Sequence, residues 1–407
     1  MKLSEVRLSL CKYRVRSLVL KYGQGKKHSV ETSLITKIDI VENYDDEIFP
    51  FFKMSFYVPS NIYRQITSTK NKNKVTAVLN IQKAKFNDAV SMSTTNRPSF
   101  SSCIYGRFHV VIPAKDMEVT QQEQKIVEKS KNKYGQLKAI TISLYPKQAY
   151  DNYQTVVNAV IESCDLTDAI VYIIQNSGIP DMLVSPPDNT KQYTEYKIPP
   201  LQAHKLLHRI CNTFAYHKKG SVIHFGWDRG YIIKKVPECT AYETNEYKIT
   251  YIAVFTNSKG SMQTGGCYSN HKKRFNVVNA SELAGDNTNN VTKKALGETT
   301  VIINKDGNMR STGSGKITNV AIQEEGEWNQ QDISRKIQEN SKEISCQLIN
   351  ADLDMLRPNK QFIVAAEGKT YKKYNGKYRM FSATHTFKKE GDYFSLQSII
   401  NLGSGNK

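Results

Sequence analysis

Four groups of residues in this chain have types and spacings that chemistry uses. His204 and His208 lie four apart with Cys211 one turn further on, and on a helix that spacing could present three ligand atoms to one zinc ion. The protease form of the pattern needs a glutamate directly after the first histidine. Lys205 stands there, so a helix surface is the better reading. Gly313-Ser314-Gly315-Lys316 has the outline of a phosphate loop, but the full pattern requires glycine at position 310 and Ser or Thr at 317. This chain has Arg310 and Ile317. Glu324, Glu325 and Glu327 flank Trp328, and Asp45, Asp46 and Glu47 form a second acidic run. Glycoside hydrolysis needs two carboxylates on opposite sides of a sugar, whereas acids crowded into one polar segment suit a helix start or a turn. No Ser/His/Asp order, Gly-x-Ser-x-Gly elbow or Cys/His pairing stands out. The expectation is a chain with no catalytic residue, no metal site and no cofactor.

The totals point the same way. A chain of 407 residues is long enough for two or three domains with ample core and no need of disulfide or metal staples. Its 57 Lys and Arg outnumber 38 Asp and Glu, a formal net charge of +19, which suits an acidic partner such as nucleic acid. The basic residues are spread along the whole chain in short clusters such as Lys70–Lys74 and Lys129–Lys133, which equally describes a lysine-rich surface. Seven cysteines are widely spaced with no C-x-x-C pair, as expected of a chain folded in a reducing cytosol. Asn279-Ala280-Ser281 matches a glycosylation acceptor, but no secretory signal supports it. The longest apolar run, Ala169–Ile174, is far too short to span a bilayer.

Stepping along the elements, Leu34, Thr36, Ile38 and Ile40 alternate against Lys37 and Asp39, the period of a half-buried strand. After the acidic turn and Pro50, Met54, Phe56 and Val58 form one face of a second strand. Pro59-Ser60 then reads as a strand stop and helix cap, with Ile62 and Ile66 on one helix face. Val75–Ile81, Tyr105–Ile112 and Leu137–Tyr145 alternate as further strands. The middle third is the most helical: Asp165 or Thr167 can cap a helix ending at Gly178, and Pro199-Pro200 opens a second helix over Leu201–Phe214. Strands at Tyr216–Phe225 and Trp227–Lys235 follow. The segment 256–316 is rich in Asn, Gly, Ser and Thr and reads as long loops, with one hairpin beginning at Thr299 and turning at Asp306-Gly307. A short helix is expected over Trp328–Lys342.

The C-terminal stretch organises the rest. Leu353, Leu356 and Pro358 form a turn, then Lys377–Phe387 and Tyr393–Ile400 alternate around a Gly391-containing turn, the signature of a β-hairpin. Arg379, Phe381, Ala383, His385 and Phe387 are expected on one face, and Tyr378, Met380, Ser382, Thr384 and Thr386 on the other. Leu353, Leu356, Pro358, Tyr378, His385, Phe387 and Phe394 together resemble the closing motif of phage baseplate hub proteins. Those are the late control protein D family and the hub-like part of valine-glycine repeat spike proteins. Asn359 stands where that family usually has glycine; asparagine tolerates left-handed backbone better than most residues. Lys37–Pro59, a glutamate-bearing strand before a proline and an apolar strand, is similar to the family's opening motif.

The resemblance implies a mainly β protein with an α+β insertion, in which two tube-like β-barrel domains flank or enclose a smaller α+β domain. The division would be 1–118 for the first barrel, 119–240 for the α+β domain, and 241–407 for a second β-rich barrel containing the polar loops 256–316. It also implies a homo-oligomer, a trimer whose six barrels form a ring. That ring would sit in the virion tail baseplate, assembled in the host cytoplasm. A tail tube protein would lie above it, a spike or tail-tip protein below, with a tape measure protein nearby and DNA passing through the lumen. Two other classes stay open at this point: a tail-associated cell-wall hydrolase, which would show paired acids or a Cys/His pair in a pocket, and a basic nucleic-acid-binding module, which would show one basic face.

Overall fold

The computed structural model describes residues 7–8, 11–44, 47–68, 74–85, 99–112, 136–179, 181–218, 220–234, 249–256, 262–269, 273–282, 299–303, 309–312, 317–322, 343–349, 352–366 and 375–403. The first part of the chain supplies β1 (Arg7–Leu8), β2 (Lys12–Tyr22), β3 (Lys26–Val30), β4 (Ile35–Asn43), β5 (Phe51–Pro59), β6 (Thr76–Lys85), β7 (Ser99–Val111) and β8 (Leu137–Pro146). The middle supplies β9 (Val156–Cys164), β10 (Met182–Val184), β11 (Tyr193–Gln202), β12 (Ser221–Phe225) and β13 (Gly230–Lys234). Then come β14 (Ile249–Thr256), β15 (Met262–Ser269), β16 (Lys273–Glu282), β17 (Thr299–Ile303), β18 (Met309–Thr312) and β19 (Ile317–Ile322). The chain closes with β20 (Glu343–Ile349), β21 (Gln361–Ala366), β22 (Gly376–Glu390) and β23 (Tyr393–Gly403).

Antiparallel pairing closes β2, β6, β7, β8, β5, β4, β22 and β23 into a barrel, with β23 returning to β2. Six of these strands come from the first 146 residues and two from the C-terminal hairpin, so the segment expected to form the first barrel is shut by the far end of the chain. Alternation decides what fills it. Tyr13, Leu18 and Leu20 of β2, Phe52, Met54 and Phe56 of β5, and Ile38 and Ile40 of β4 all point into one buried cluster. An eight-stranded barrel is just wide enough for side chains to fill, and Phe52 packs on Phe108, and Tyr13 on Phe387, with ring centroids 5.1 and 5.2 Å apart. The barrel is a core, not a channel.

A second circuit of hydrogen-bonded strands runs β16, β15, β14, β21, β22, β23, β20 and back to β16. The two circuits share the hairpin β22–β23, and its length allows both. Ser382–Lys388 pair with β4 and Phe394–Ser395 with β2, whereas Gly376–Tyr378 pair with β21 and Gln397–Gly403 with β20. Where the hairpin passes from one circuit to the other, its register slips between Met380 and Ser382. An extra residue flips every following side chain. The buried set is therefore Tyr378 and Met380, then Ala383, His385 and Phe387, rather than the two unbroken faces expected from simple alternation.

Between the circuits lies the α+β part. The helix Leu166–Ser177 begins as the sequence dictates. Asp165 accepts from the Asp168 amide, Asp168 reciprocates, and Gly178 ends the helix at φ +68°, a conformation glycine adopts without steric cost. Replacing Asp165 with alanine is expected to cost about 1 kcal/mol, read as a lower unfolding midpoint of this domain. The second helix is shorter than expected: Ala203–His208, continued by a looser turn Arg209–Thr213. Pro199 and Pro200 belong to β11, which pairs with β9 and shifts register between Ile198 and Leu201, because proline has no N–H for the ladder. The small sheet β10–β13–β12 sits between two cores. Val222, Tyr231 and Ile233 join the barrel cluster, and Ile223, Phe225 and Ile232 the helical one.

The segment 256–316 holds strands where long loops were expected. β15 and β16 pair with each other, β17 pairs with β18 as the expected hairpin, and β19 lies parallel to β17. Ladder hydrogen bonds do not depend on side-chain polarity, so a polar stretch pairs readily once a neighbour is present. The Asp306-Gly307 turn, the Trp328–Lys342 helix and the polar stretch 119–135 fall outside the described residues. Among the described residues no helix is long and apolar enough to cross a membrane.

Candidate functional site

All seven residues of the C-terminal motif are buried, and they pack the seam where barrel, hairpin and small sheet meet. Leu353 and Leu356, on a short 3-10 turn, and Tyr378, Phe387 and Phe394, on the hairpin, enter the barrel core. Pro358 lies in the turn itself, beside Asn359. The Leu353 amide donates to the Tyr13 hydroxyl at 2.9 Å, fixing the turn to the first barrel strand. His385 leads to something the spacing did not announce.

Ile38, Ile40 and Glu42 occupy the same face of β4, so the glutamate continues an inward apolar row and is fully buried. Three cationic or potentially cationic groups surround it, each from a different element. His385 of β22 places Nε2 3.3 Å from Oε2, His224 of β12 places Nε2 3.6 Å from Oε1, and Arg357, beyond the turn, places Nη1 3.7 Å from Oε1. Arg357 is also ion-paired with Asp228, lies 3.9 Å over the Trp227 ring and approaches the Tyr231 hydroxyl. That hydroxyl donates to Asp228 at 2.7 Å. Tyr44 meets the His224 ring edge-on at 4.7 Å.

Burial alone would raise the Glu42 carboxyl. Contact with His224 and His385 and the field of Arg357 outweigh burial and hold it well below the usual carboxylate range. Hydrogen-bond logic adds a constraint. His224 Nδ1 faces the Glu47 carbonyl at 3.3 Å, and a carbonyl only accepts, so that nitrogen carries a proton. Only a doubly protonated ring then also turns an N–H toward Glu42. His385 is freer, because its Nδ1 faces the Ser398 hydroxyl at 2.8 Å, which can donate. Two anions, Glu42 and Asp228, can thus balance Arg357 and a cationic His224.

The junction opens on a cleft of about 260 Å³ lined by Trp227, Asp228, Arg229, Asp354, Arg357 and Lys360 among others. Its two acids are both engaged by cations, Asp228 by Arg357 and Asp354 by Lys83. Cys103 also borders it, and burial pushes its thiol up to about 12, so it is held as a thiol.

The other sequence candidates settle into structural positions or lie outside the described residues. His204 Nδ1 contacts the Tyr153 carbonyl at 3.0 Å, and Cys211 is buried in the helical core with its thiol pushed up to about 12 by desolvation. Among the described residues no group of three His, Cys, Asp or Glu is placed to hold a metal ion. Glu47 supplies its backbone carbonyl to His224. Gly313–Lys316, Glu324, Glu325, Glu327, Trp328, Asp45 and Asp46 fall outside the described residues.

Comparison with known proteins adds the following. A family model described as Bacteriophage PBS1 gene 109 protein matches residues 3–403. A comparison with curated proteins finds no match. Among solved structures, the chain is similar to a 43 kDa tail protein of prophage MuSo2 from Shewanella oneidensis, at 11% identity and TM-score 0.49 over 96% of this chain and 97% of that one. It is similar to a tail protein from Neisseria meningitidis MC58, at 10% identity and TM-score 0.47 over 96% of each chain. It is also similar to the E. coli c3393 protein, a type VI secretion component, at 8% identity and TM-score 0.43 over 97% of this chain and 77% of that one.

Proposed function

We propose that this chain, which belongs to the Bacteriophage PBS1 gene 109 protein family, is a structural baseplate hub subunit of a phage tail. The observation that carries this reading is the fusion of two strand circuits through one shared hairpin. Two similar tubes held at a fixed angle in one subunit give three subunits six tubes. That is the count needed to match a sixfold tail tube to a threefold spike. Because the first barrel is packed solid with side chains, any passage for DNA lies in the hole between subunits.

On this reading the work is architectural. The buried ion junction fixes the angle between barrel, hairpin and α+β part, and a fixed angle is what lets a ring close rather than spiral. The tail tube protein would bind one face of the ring and the spike or tail-tip protein the other, with a tape measure protein reaching the lumen. Mass photometry of the full chain tests the proposal. The expected species has three times the subunit mass of 46.3 kDa, and negative-stain images of it should show a ring with a central hole. A chain that stays a solid monomeric particle at every concentration would refute it.

A further inference from the structure

We propose that the outer face of the β9–β11 sheet is the contact by which one copy of this chain binds the next, an assignment that rests on the ring-forming reading above. The sheet has two strands, and among the described residues each pairs only with the other. Its inner face is closed: Val157, Tyr196 and Ile198 join the helical core. Its outer face is not. Val156 is 61% exposed and Val160 58%, with Leu201 at 37% on the neighbouring strand. Elsewhere in the described structure β-branched residues are overwhelmingly inside, so two valines standing in water on one strand face are out of keeping with a finished surface.

Charge identifies the occupant. At the far end of the same face Glu162 and Glu195 sit directly opposite each other across the strands. Like charges in that position destabilise a sheet, and the only cation beside them is Lys197, 3.6 Å from Glu195 and largely exposed. An apolar patch ending in two acids calls for a partner with an apolar patch bordered by basic groups. The chain itself carries +19, so the patch is an acidic exception on a basic molecule and complements the surface of another copy. A patch that meets a different surface of the next copy makes a head-to-tail contact, the kind that generates rings.

The test compares the full chain with V156E/V160E and, separately, with E162K/E195K, by mass photometry over a dilution series. Circular dichroism and unfolding midpoints confirm that each variant is folded; the substituted side chains face solvent, so both should fold. Each variant is expected to shift dissociation to at least about tenfold higher concentration, the charge reversal doing so by repulsion from the basic neighbour. A wild-type oligomer that persists unchanged in both variants overturns this inference, because the face then serves another partner, while leaving the ring reading standing. A wild-type chain that is monomeric throughout overturns the ring reading and this inference together.

Discussion

Replacing Glu42 with glutamine is expected to destabilise the protein by about 3–5 kcal/mol, the scale for removing one partner of a buried ion pair. The carboxylate is fully buried and lies within 3.7 Å of His385, His224 and Arg357. Without its charge, Arg357 and a protonated His224 face each other across a site with no water to screen them. Asp228, the remaining acid, is already engaged by Arg357 and Tyr231. The amide keeps the shape and so isolates the charge. Trp227 reports the result, since its ring stacks on Arg357 and its fluorescence should change as the junction opens in urea. A loss under about 1 kcal/mol, the worth of an exposed ion pair, would show that the junction does not hold these elements together. Combining Glu42→Gln with His385→Gln should give a total well short of the sum, because the two side chains share one interaction.

The same charge sets a pH signature. The folded carboxyl lies below its ordinary value of 4.5, so the unfolded chain takes up the proton first. The stability Glu42 contributes is complete above about pH 4.5 and is lost as pH falls below it. The gap between wild type and Glu42→Gln should therefore be constant near neutrality and narrow on acidification. A gap that widens in acid would mean that the carboxyl is protonated in the folded protein.

How far the sequence carries to this junction differs by residue. The alternation through Ile38 and Ile40 extends by two positions to Glu42, so a charged side chain on a buried face could be read locally. What that charge meets could not. His224 and Arg357 are brought to it by barrel closure, and pairing of β22 with β4 joins the two ends of the chain in a register that no local pattern encodes. Local rules gave the Asp165 cap, the Gly178 stop and the early strands because each depends on neighbours within a few residues. They failed at Pro199-Pro200, where a helix-start signal lost to strand pairing, and over 256–316, where polar side chains concealed strands held by their ladders. The face flip at Phe381 escaped for the same reason: a bulge is set by what lies opposite, here the passage from one strand circuit to the other. The cluster of exposed valines on β9 was legible as strand but not as surface, since exposure is a property of the packed molecule.

Replacing Lys83 with methionine should have an effect of similar size, about 3–5 kcal/mol, through a separate contact that ties the turn before β21 to the barrel. Lys83 sits in β6 with its side chain 7% exposed, and its Nζ lies 2.7 Å from Asp352 Oδ1, in a carboxylate 1% exposed. Asp354 pairs with the same amine but is half in solvent. Methionine preserves the stem and removes the charge, leaving Asp352 buried against an apolar chain end. Burial favours the neutral amine, but the two carboxylates outweigh it and hold the Lys83 pKa above its ordinary 10.5. The contribution is therefore complete below about pH 10.5 and is lost only as alkali removes the proton from the folded state. Asymmetry between the two acids makes the test sharp. Asp354→Asn should cost under about 1 kcal/mol, since water already screens that group, whereas Asp352→Asn should approach the lysine variant. Lys83→Met combined with Asp352→Asn should recover much of the loss, because the penalty of the single change is the stranded charge and not the missing attraction. Equal costs for Asp352→Asn and Asp354→Asn would show that the turn is held by its apolar residues Leu353, Met355 and Leu356, with the ion pair adding nothing of its own.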